Sequence, residues 1–405
     1  MLTTSETHGC EPRTVTQVAF LPNLAFSEDY PPPRVSLLPG VSANTLAGRR
    51  EAVTCSAFVG QEDLFSSGRY ALAEALRRSG VSAGTRVLLP ALHCRVMVEP
   101  VLFLGAEPHF YPVTSDLQPN MNAIREMAGT RQVIALVLPH YFGFPNSAVA
   151  VAKLCRTLDM RLIEDCAHAL YGFTDGRLLG TIGHYSFASF WKFLPTPDGA
   201  ALRDNTAATL TQLNRRSLRD ELRGIRNLFG RRTRSVRSVR TPAPSIANNV
   251  PRGASDRYRC NAGPSRPFDQ ALAVRSCLRS SRWIFQNAQH AFVAARRRER
   301  YREWLRGVRD LTSVRPLFRD LPEGVVPYAF PLIADNAECV FNSIRGQGLP
   351  VWRWEEVAAD AVSACITTRQ YRSALLQLPC HQELNDDEMD WMISVTRAAA
   401  KACHR

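Results

Sequence analysis

The chain has 405 residues, 45% hydrophobic and 21% charged, enough for one large core and a smaller one. No apolar run reaches the roughly 18 residues of a membrane span, and the N-terminus lacks the basic-then-apolar layout of a secretory leader. Eleven scattered cysteines, never in a C-x-x-C pair, argue against a disulfide framework or zinc ribbon and for a reducing, cytoplasmic setting, while the net charge of +13 is carried mostly by thirteen arginines between Arg215 and Arg259.

Residues 1–55, with YPPPRVSLLPG, show no periodicity and are expected to form an extended or poorly ordered arm. From Phe65 the pattern changes. SSGRYALAEALRRSG predicts a turn and an amphipathic helix, RVLLP a strand, MVEPVLFLGA a helix, and PHFYPV, RQVIALVLP and RLIED three more strands, the last two separated by the helix NSAVAVAKLCRTLD. Unbroken apolar strands alternating with helices predict an α/β large domain, with a mostly parallel sheet between helices. In such a sheet ligands gather at the carboxyl ends of the strands, which places Pro90, His140 and Asp165 there.

A further strand-like run, HYSFASFW, is expected to end directly on Lys192. Beyond Asp204 the stretch to Phe229 reads as helical, and residues at about 231–259 read as a solvated, arginine-rich insertion. Helical patterns return from Pro267. GVVPYAFPLI, ECVFNSIRGQG, LPVWRW and a terminal helix from Asp386 then predict a smaller α+β domain. The expected division is therefore an arm over 1–55, a large domain over 56–266 and linking helices with a small C-terminal domain over 267–405.

Three groups carry candidate chemistry. Lys192 is one of only three lysines, with Lys153 and Lys401, and its neighbours Phe190, Trp191, Phe193 and Leu194 would desolvate its amine as a nucleophile requires. The bland alternative is a strand-end lysine reaching to water. Asp165, at a strand's end, could hold a protonated ring nitrogen, a ribose or magnesium, and His168 three residues on could pack beside a ring or simply fill the core. Glu164, alternating with Asp165, is expected to be structural. Ser67, Gly68 and Arg69 at a helix start offer amides, hydroxyls and a cation to an anion, or else a plain N-cap. Together an anion site, a ring-nitrogen acid and a desolvated lysine match the phosphate, pyridine and aldehyde of pyridoxal 5'-phosphate.

These motifs, in this order, resemble the DegT/StrS-type sugar aminotransferases among the fold type I pyridoxal-phosphate enzymes. SSGRYAL resembles their phosphate loop, VLLPALHC and LGAEPHFYPV the next strands, LPHYFGFP a His-x-Tyr-Gly segment, IEDCAHAL the Glu-Asp-x-Ala-Gln hallmark, and SFWKFLPTPDGAAL the Schiff-base lysine segment. VVPYAFPL and LLQLPCHQELNDDEMDWM resemble the family's C-terminal domain, so that the likeness covers about residues 60–204 and 267–400. The resemblance implies an aspartate-aminotransferase-like fold and a cofactor joined to Lys192, with Asp165 on its ring nitrogen and His168 near the ring. It also implies phosphate contacts from Ser67, Gly68, Arg69 and Ser189, and a ring-stacking position at His93 or Cys94, of which His93 is favoured. No metal is implied.

The chain departs from the pattern where Arg69 replaces threonine, His168 replaces glutamine and Ala200 replaces glycine. The implied activity is amino transfer, with glutamate as donor, to a keto-sugar that is nucleotide-linked, by a homodimer whose subunits share sites, with a residue near Asn261 reaching the partner's phosphate. Two alternatives are a pyridoxal-phosphate sugar dehydratase or lyase, and a non-catalytic regulator contacting nucleic acid through the arginine segment. No aromatic interleaving or helix-turn-helix pattern supports the last.

Overall fold

The computed structural model describes residues 17–24, 30–46, 55–61, 63–130, 132–207, 210–232 and 267–404. Asn261 and nearly all of the arginine-rich insertion lie outside the described residues.

Seven strands form the principal sheet, in the spatial order Leu64–Phe65, Ala200–Asp204, Tyr185–Ala188, Arg161–Asp165, Val133–Pro139, Arg86–Pro90 and Glu107–Tyr111. The five from Tyr185–Ala188 to Glu107–Tyr111 pair in parallel, and Ala200–Asp204 pairs antiparallel with both its neighbours. The unbroken apolar runs explain this arrangement. Successive side chains of a strand point to opposite faces, and here both faces are covered. Leu88, Leu136, Leu138 and Leu162 enter one buried cluster, while Val87, Leu89, Ala135, Val137 and Ile163 enter the other. Helices Gly68–Arg78 and Arg95–Phe103 close the second cluster through Leu72, Leu76, Val98 and Val101. Helices Ala148–Thr157 and His290–Val308 close the first through Val151, Leu154, Val293, Tyr301 and Trp304.

A smaller antiparallel sheet follows in the order Val314–Pro316, Phe330–Ala334, Leu375–Leu378 and Trp352–Arg353. The terminal helix, Asp386–Ala402, begins where its sequence dictates. Asn385 accepts from the Glu388 amide and Glu388 answers to the Asn385 amide, a capping box.

Several expectations are corrected. The strand before Lys192 stops at Ala188, and Lys192 instead ends a 3-10 turn, Phe190–Lys192. Residues 210–217 are not helical, and the helix there runs only from Leu218 to Arg232. The strand expected over 324–333 begins at Phe330, after a bend. Part of the N-terminal arm is tied down, because Phe20–Leu21 pairs antiparallel with Val357–Ala358. One pair of cysteines, Cys339 and Cys403, is joined as a disulfide between helix Ala337–Gly346 and the residue after the terminal helix. Its partners lie 64 residues apart, so local cysteine spacing gave no sign of it.

Candidate active site

The site lies at the carboxyl ends of the parallel strands, where the backbone is free of ladder bonds and side chains converge. Arg161–Asp165 delivers Asp165, buried at 8% exposure. One of its oxygens accepts from the Ala167 amide at 2.8 Å. Burial raises its pKa, and the Ala167 N–H, Lys192 and His140 only partly offset that. A carboxylate held in this state is short of positive charge, and a cationic ring N–H would supply it.

Glu164 faces the opposite way, as its alternation predicts. It is wholly buried, meets His140 Nε2 at 3.0 Å, and takes the amides of Gly180, Ile182 and Gly183. Burial opposes its ionisation, but His140 and these amides outweigh burial and lower its pKa. His140 Nδ1 accepts from the Asn146 amide, which leaves Nε2 carrying the proton given to Glu164. His140, Glu164 and Cys166 lie close enough to suggest a metal, yet the histidine nitrogens and the carboxylate oxygens are engaged with protein. The group is a brace under the 180–183 turn.

Lys192 is half-buried, and its Nζ stands 5.4 Å from the centre of the Tyr328 ring. Tyr328 stacks on His168 at 4.4 Å and 16°, and Phe142 flanks the same imidazole at 5.7 Å. Burial, helped by the Lys192 charge, holds His168 well below its ordinary pKa, so it is neutral. A cavity of about 10 Å³, room for about one water, is lined by Lys192, Tyr328, Arg297, Leu37, Leu38 and Pro39.

The anion candidates come together at the start of helix Gly68–Arg78. Ser67 is the N-cap residue but makes no side-chain cap bond. A Cβ on Gly68 would fall 2.6 Å from Ser189 Oγ, so only glycine leaves that space open. The Ser66 hydroxyl beside them is buried without a partner among the described residues. Arg69, by contrast, sends its guanidinium to Glu99 at 2.7 Å. That ion pair engages the guanidinium beside the helix start.

His93 is bound into the scaffold. Its Nδ1 donates to the Pro90 and Ala91 carbonyls, its Nε2 accepts from the Ala358 amide, and its ring stacks on Phe110 at 4.5 Å. That commits both faces of its hydrogen bonding to the scaffold. Cys94 is the neighbour whose thiol feels Lys192 and Asp165, and burial, then Glu355, push it up to about 12. Tyr328 and Arg297 were not singled out from sequence. Both lie more than a hundred residues beyond Lys192, and no local sequence pattern marks either.

Residues 55–214 match the sequence profile of the DegT/DnrJ/EryC1/StrS aminotransferase family. Over 162 residues the chain is 30% identical to the UDP-N-acetyl-3-dehydro-alpha-D-glucosamine 3-aminotransferase of Acidithiobacillus ferrooxidans, covering 40% of this chain and 42% of that protein. It is 29% identical over 142 residues to the GDP-perosamine synthase of Escherichia coli O157:H7, covering 35% and 39%. These matches thus span about two fifths of the curated relatives' length. The crystal structure of the aminotransferase TlmJ from Streptoalloteichus hindustanus superposes with a TM-score of 0.60 at 22% identity, over 85% of this chain and 87% of that one. Residues 55–214 are thus similar to the DegT/DnrJ/EryC1/StrS aminotransferase family, and the fold of a solved aminotransferase extends across most of the chain.

Proposed function

We propose that the protein is a pyridoxal-phosphate-dependent aminotransferase that moves an amino group, with glutamate as donor, onto a keto-sugar carried by a nucleotide. The observation that carries this reading is one site holding Lys192, a charge-deficient Asp165 and the glycine cradle between Gly68 and Ser189. The residues fit the cofactor. Asp165 would hold the ring nitrogen, Ser67, Gly68, Ser189 and the Arg69 amide the phosphate, and His168 and Cys94 would border the ring. When bound, pyridoxal phosphate supplies an aldehyde that condenses with amines and a ring that accepts electrons from the bond broken at the substrate carbon.

The protein's own part is to position groups and move a proton. Asp165 keeps the ring nitrogen protonated, which its burial among few donors favours. Lys192 Nζ would take the proton from the carbon that bears the donor's amine and carry it to the carbon of the cofactor's aldehyde group. His168, neutral and stacked on Tyr328, keeps water from one side of the amine. Sugar substrates are supported by the names of the relatives, which act on a UDP-linked glucosamine in one case and make GDP-perosamine in another.

The decisive measurement is visible absorbance of purified protein supplied with pyridoxal phosphate. Wild type should absorb near the cofactor's bound maximum, Lys192→Ala should not, and glutamate should convert the wild-type band to that of the amine form. A wild-type protein with no such band would end the proposal. A band that ignores every amino donor would instead favour dehydration or elimination.

We further propose a homodimer. Leu218, Leu222 and Ile225 recur at helical spacing and stay exposed on helix Leu218–Arg232, and Trp283 is exposed on the adjoining Arg279–Asn287 helix. The two helices are joined where the Arg279 amide meets Glu221. Such an apolar strip is what a subunit contact would cover.

A further inference from the structure

Arg297, on helix His290–Val308, is wholly buried. Its Nε donates to Gln382 Oε1 at 3.1 Å, its Nη1 to the carbonyls of Tyr328 at 2.9 Å and Pro327 at 3.3 Å, and its Nη2 to the carbonyls of Lys192 at 3.2 Å and Phe193 at 3.4 Å. The guanidinium also lies over the Phe193 ring at 4.6 Å. No carboxylate among the described residues forms an ion pair with it. Burial pushes its pKa down to about 10, which still leaves it charged at neutral pH.

A buried cation without a counter-charge is costly, and a hydrophobic side chain would fill the same space more cheaply. What a hydrocarbon could not do is tie these carbonyls to one another. The planar fork of arginine can, because its donors diverge at fixed angles. The segments it ties are those that define the site. One carries Lys192. Another carries Tyr328, whose ring faces the lysine amine and backs His168. Gln382 completes the clamp, since its Nε2 donates to the Phe193 carbonyl at 2.9 Å.

We propose that Arg297 is a positioning residue that holds the Lys192 turn and the Tyr328 bend in register and so aims the lysine amine. It acts through the backbone carbonyls of the two segments and through Gln382. The inference rests on the aminotransferase reading for its purpose, but its geometry stands without the cofactor.

The test exploits the scarcity of lysine. Cofactor-free wild type, Arg297→Lys and Gln382→Ala are labelled briefly with an amine-acylating reagent, and mass spectrometry reports Lys192 relative to Lys153 and Lys401. Release of the clamp should raise the Lys192 ratio at least fivefold in Gln382→Ala, with a smaller rise in Arg297→Lys, which keeps a charge and some donors. In the same proteins, pyridoxal phosphate trapped on Lys192 by borohydride should fall at least tenfold for Gln382→Ala. Arg300→Lys, which disturbs the same helix but not the clamp, serves as the control and should leave both readouts within twofold.

Labelling and trapping that stay within twofold of wild type in both clamp variants would overturn the inference, as would an Arg300→Lys change as large as theirs. Should Arg297→Lys fail to fold, Gln382→Ala decides alone. If wild type traps no cofactor, the proposed function fails while the labelling ratio still decides this point.

Discussion

Gly68 shows how one missing methyl group keeps a space open beside a serine hydroxyl. Ser189 Oγ would sit 2.6 Å from a Cβ at this position, and the glycine's φ is not in the left-handed region, so a side chain is excluded by space alone. Gly68→Ala should therefore fold with a Tm near that of wild type yet bind pyridoxal phosphate at least tenfold more weakly, as an absorbance titration would show. A large fall in Tm would mean that the cradle is structural. Asp165→Asn offers a second residue-scale test. The amide keeps the size and the Ala167 contact but cannot hold a proton on a ring nitrogen. Cofactor should still be captured on Lys192, and amino transfer should slow by about 100-fold or more, in line with the usual worth of a well-placed proton group.

At the scale of elements, the turn that carries Lys192 is wedged from behind. Gly199 adopts φ +130°, and a Cβ there would lie 1.9 Å from the Phe190 ring, which itself stacks on Phe285 at 4.3 Å. Gly199→Ala combines backbone strain with overlap and should cost about 3 kcal/mol. The displaced Phe190 should also shift the turn, so urea unfolding and borohydride trapping on Lys192 should both worsen. Trapping left intact beside a lowered midpoint would show that the turn is not coupled to the wedge.

The parallel strands, the helix Gly68–Arg78 and the place of Asp165 at a strand's end were legible in the sequence because each rests on a local signal, an apolar run or a turn followed by helical periodicity. The turn at Lys192 was not, since SFASFW has the apolar density of a strand and the contacts that hold the turn, such as Phe190 on Phe285, are remote in sequence. The surroundings of His93 were not legible for a similar reason. Its bond to the Ala358 amide spans 265 residues, and no local pattern announces it. Tyr328 and Arg297 act through contacts equally remote, which chain order alone does not reveal.

For the whole molecule, buried histidines set the response to acid. His93 and His290 are pushed down to about 4 by burial, His381 to about 3, and His168 well below its ordinary range. Unfolded, each would titrate near 6.5. Between those values the unfolded chain binds protons that the folded chain refuses, so stability is full above about pH 6.5 and falls as pH drops towards 4, by about 1.4 kcal/mol per pH unit for each proton. Asp198, raised to about 6 by burial, works the other way, as do Asp165, Glu99 and Glu388, but these last three start from ordinary values of about 4 and act mainly below the range in which the histidines do. Thermal melts should show Tm several degrees lower at pH 5 than at pH 7. A Tm that rises on acidification would contradict the neutral burial of these rings. The subunit proposal belongs to this scale too, and light scattering should give twice the 45.2 kDa chain mass, reduced to one copy by Leu222→Glu.

The pairing of Phe20–Leu21 with Val357–Ala358 imposes a schedule on synthesis. The first of these strands leaves the ribosome ~340 residues before its partner does, which at ordinary translation rates means roughly 20–60 s of waiting. Through that interval an apolar pair near the N-terminus has no edge to join, and the wall that Leu37, Leu38 and Pro39 give to the lysine cavity has no opposite side, because His381 and Pro379 are still to come. The nascent large sheet can form early from its own neighbours. The lysine cavity can be walled only at the end, so a chain truncated near residue 350 should retain the sheet and lack the wall that Pro379 and His381 supply.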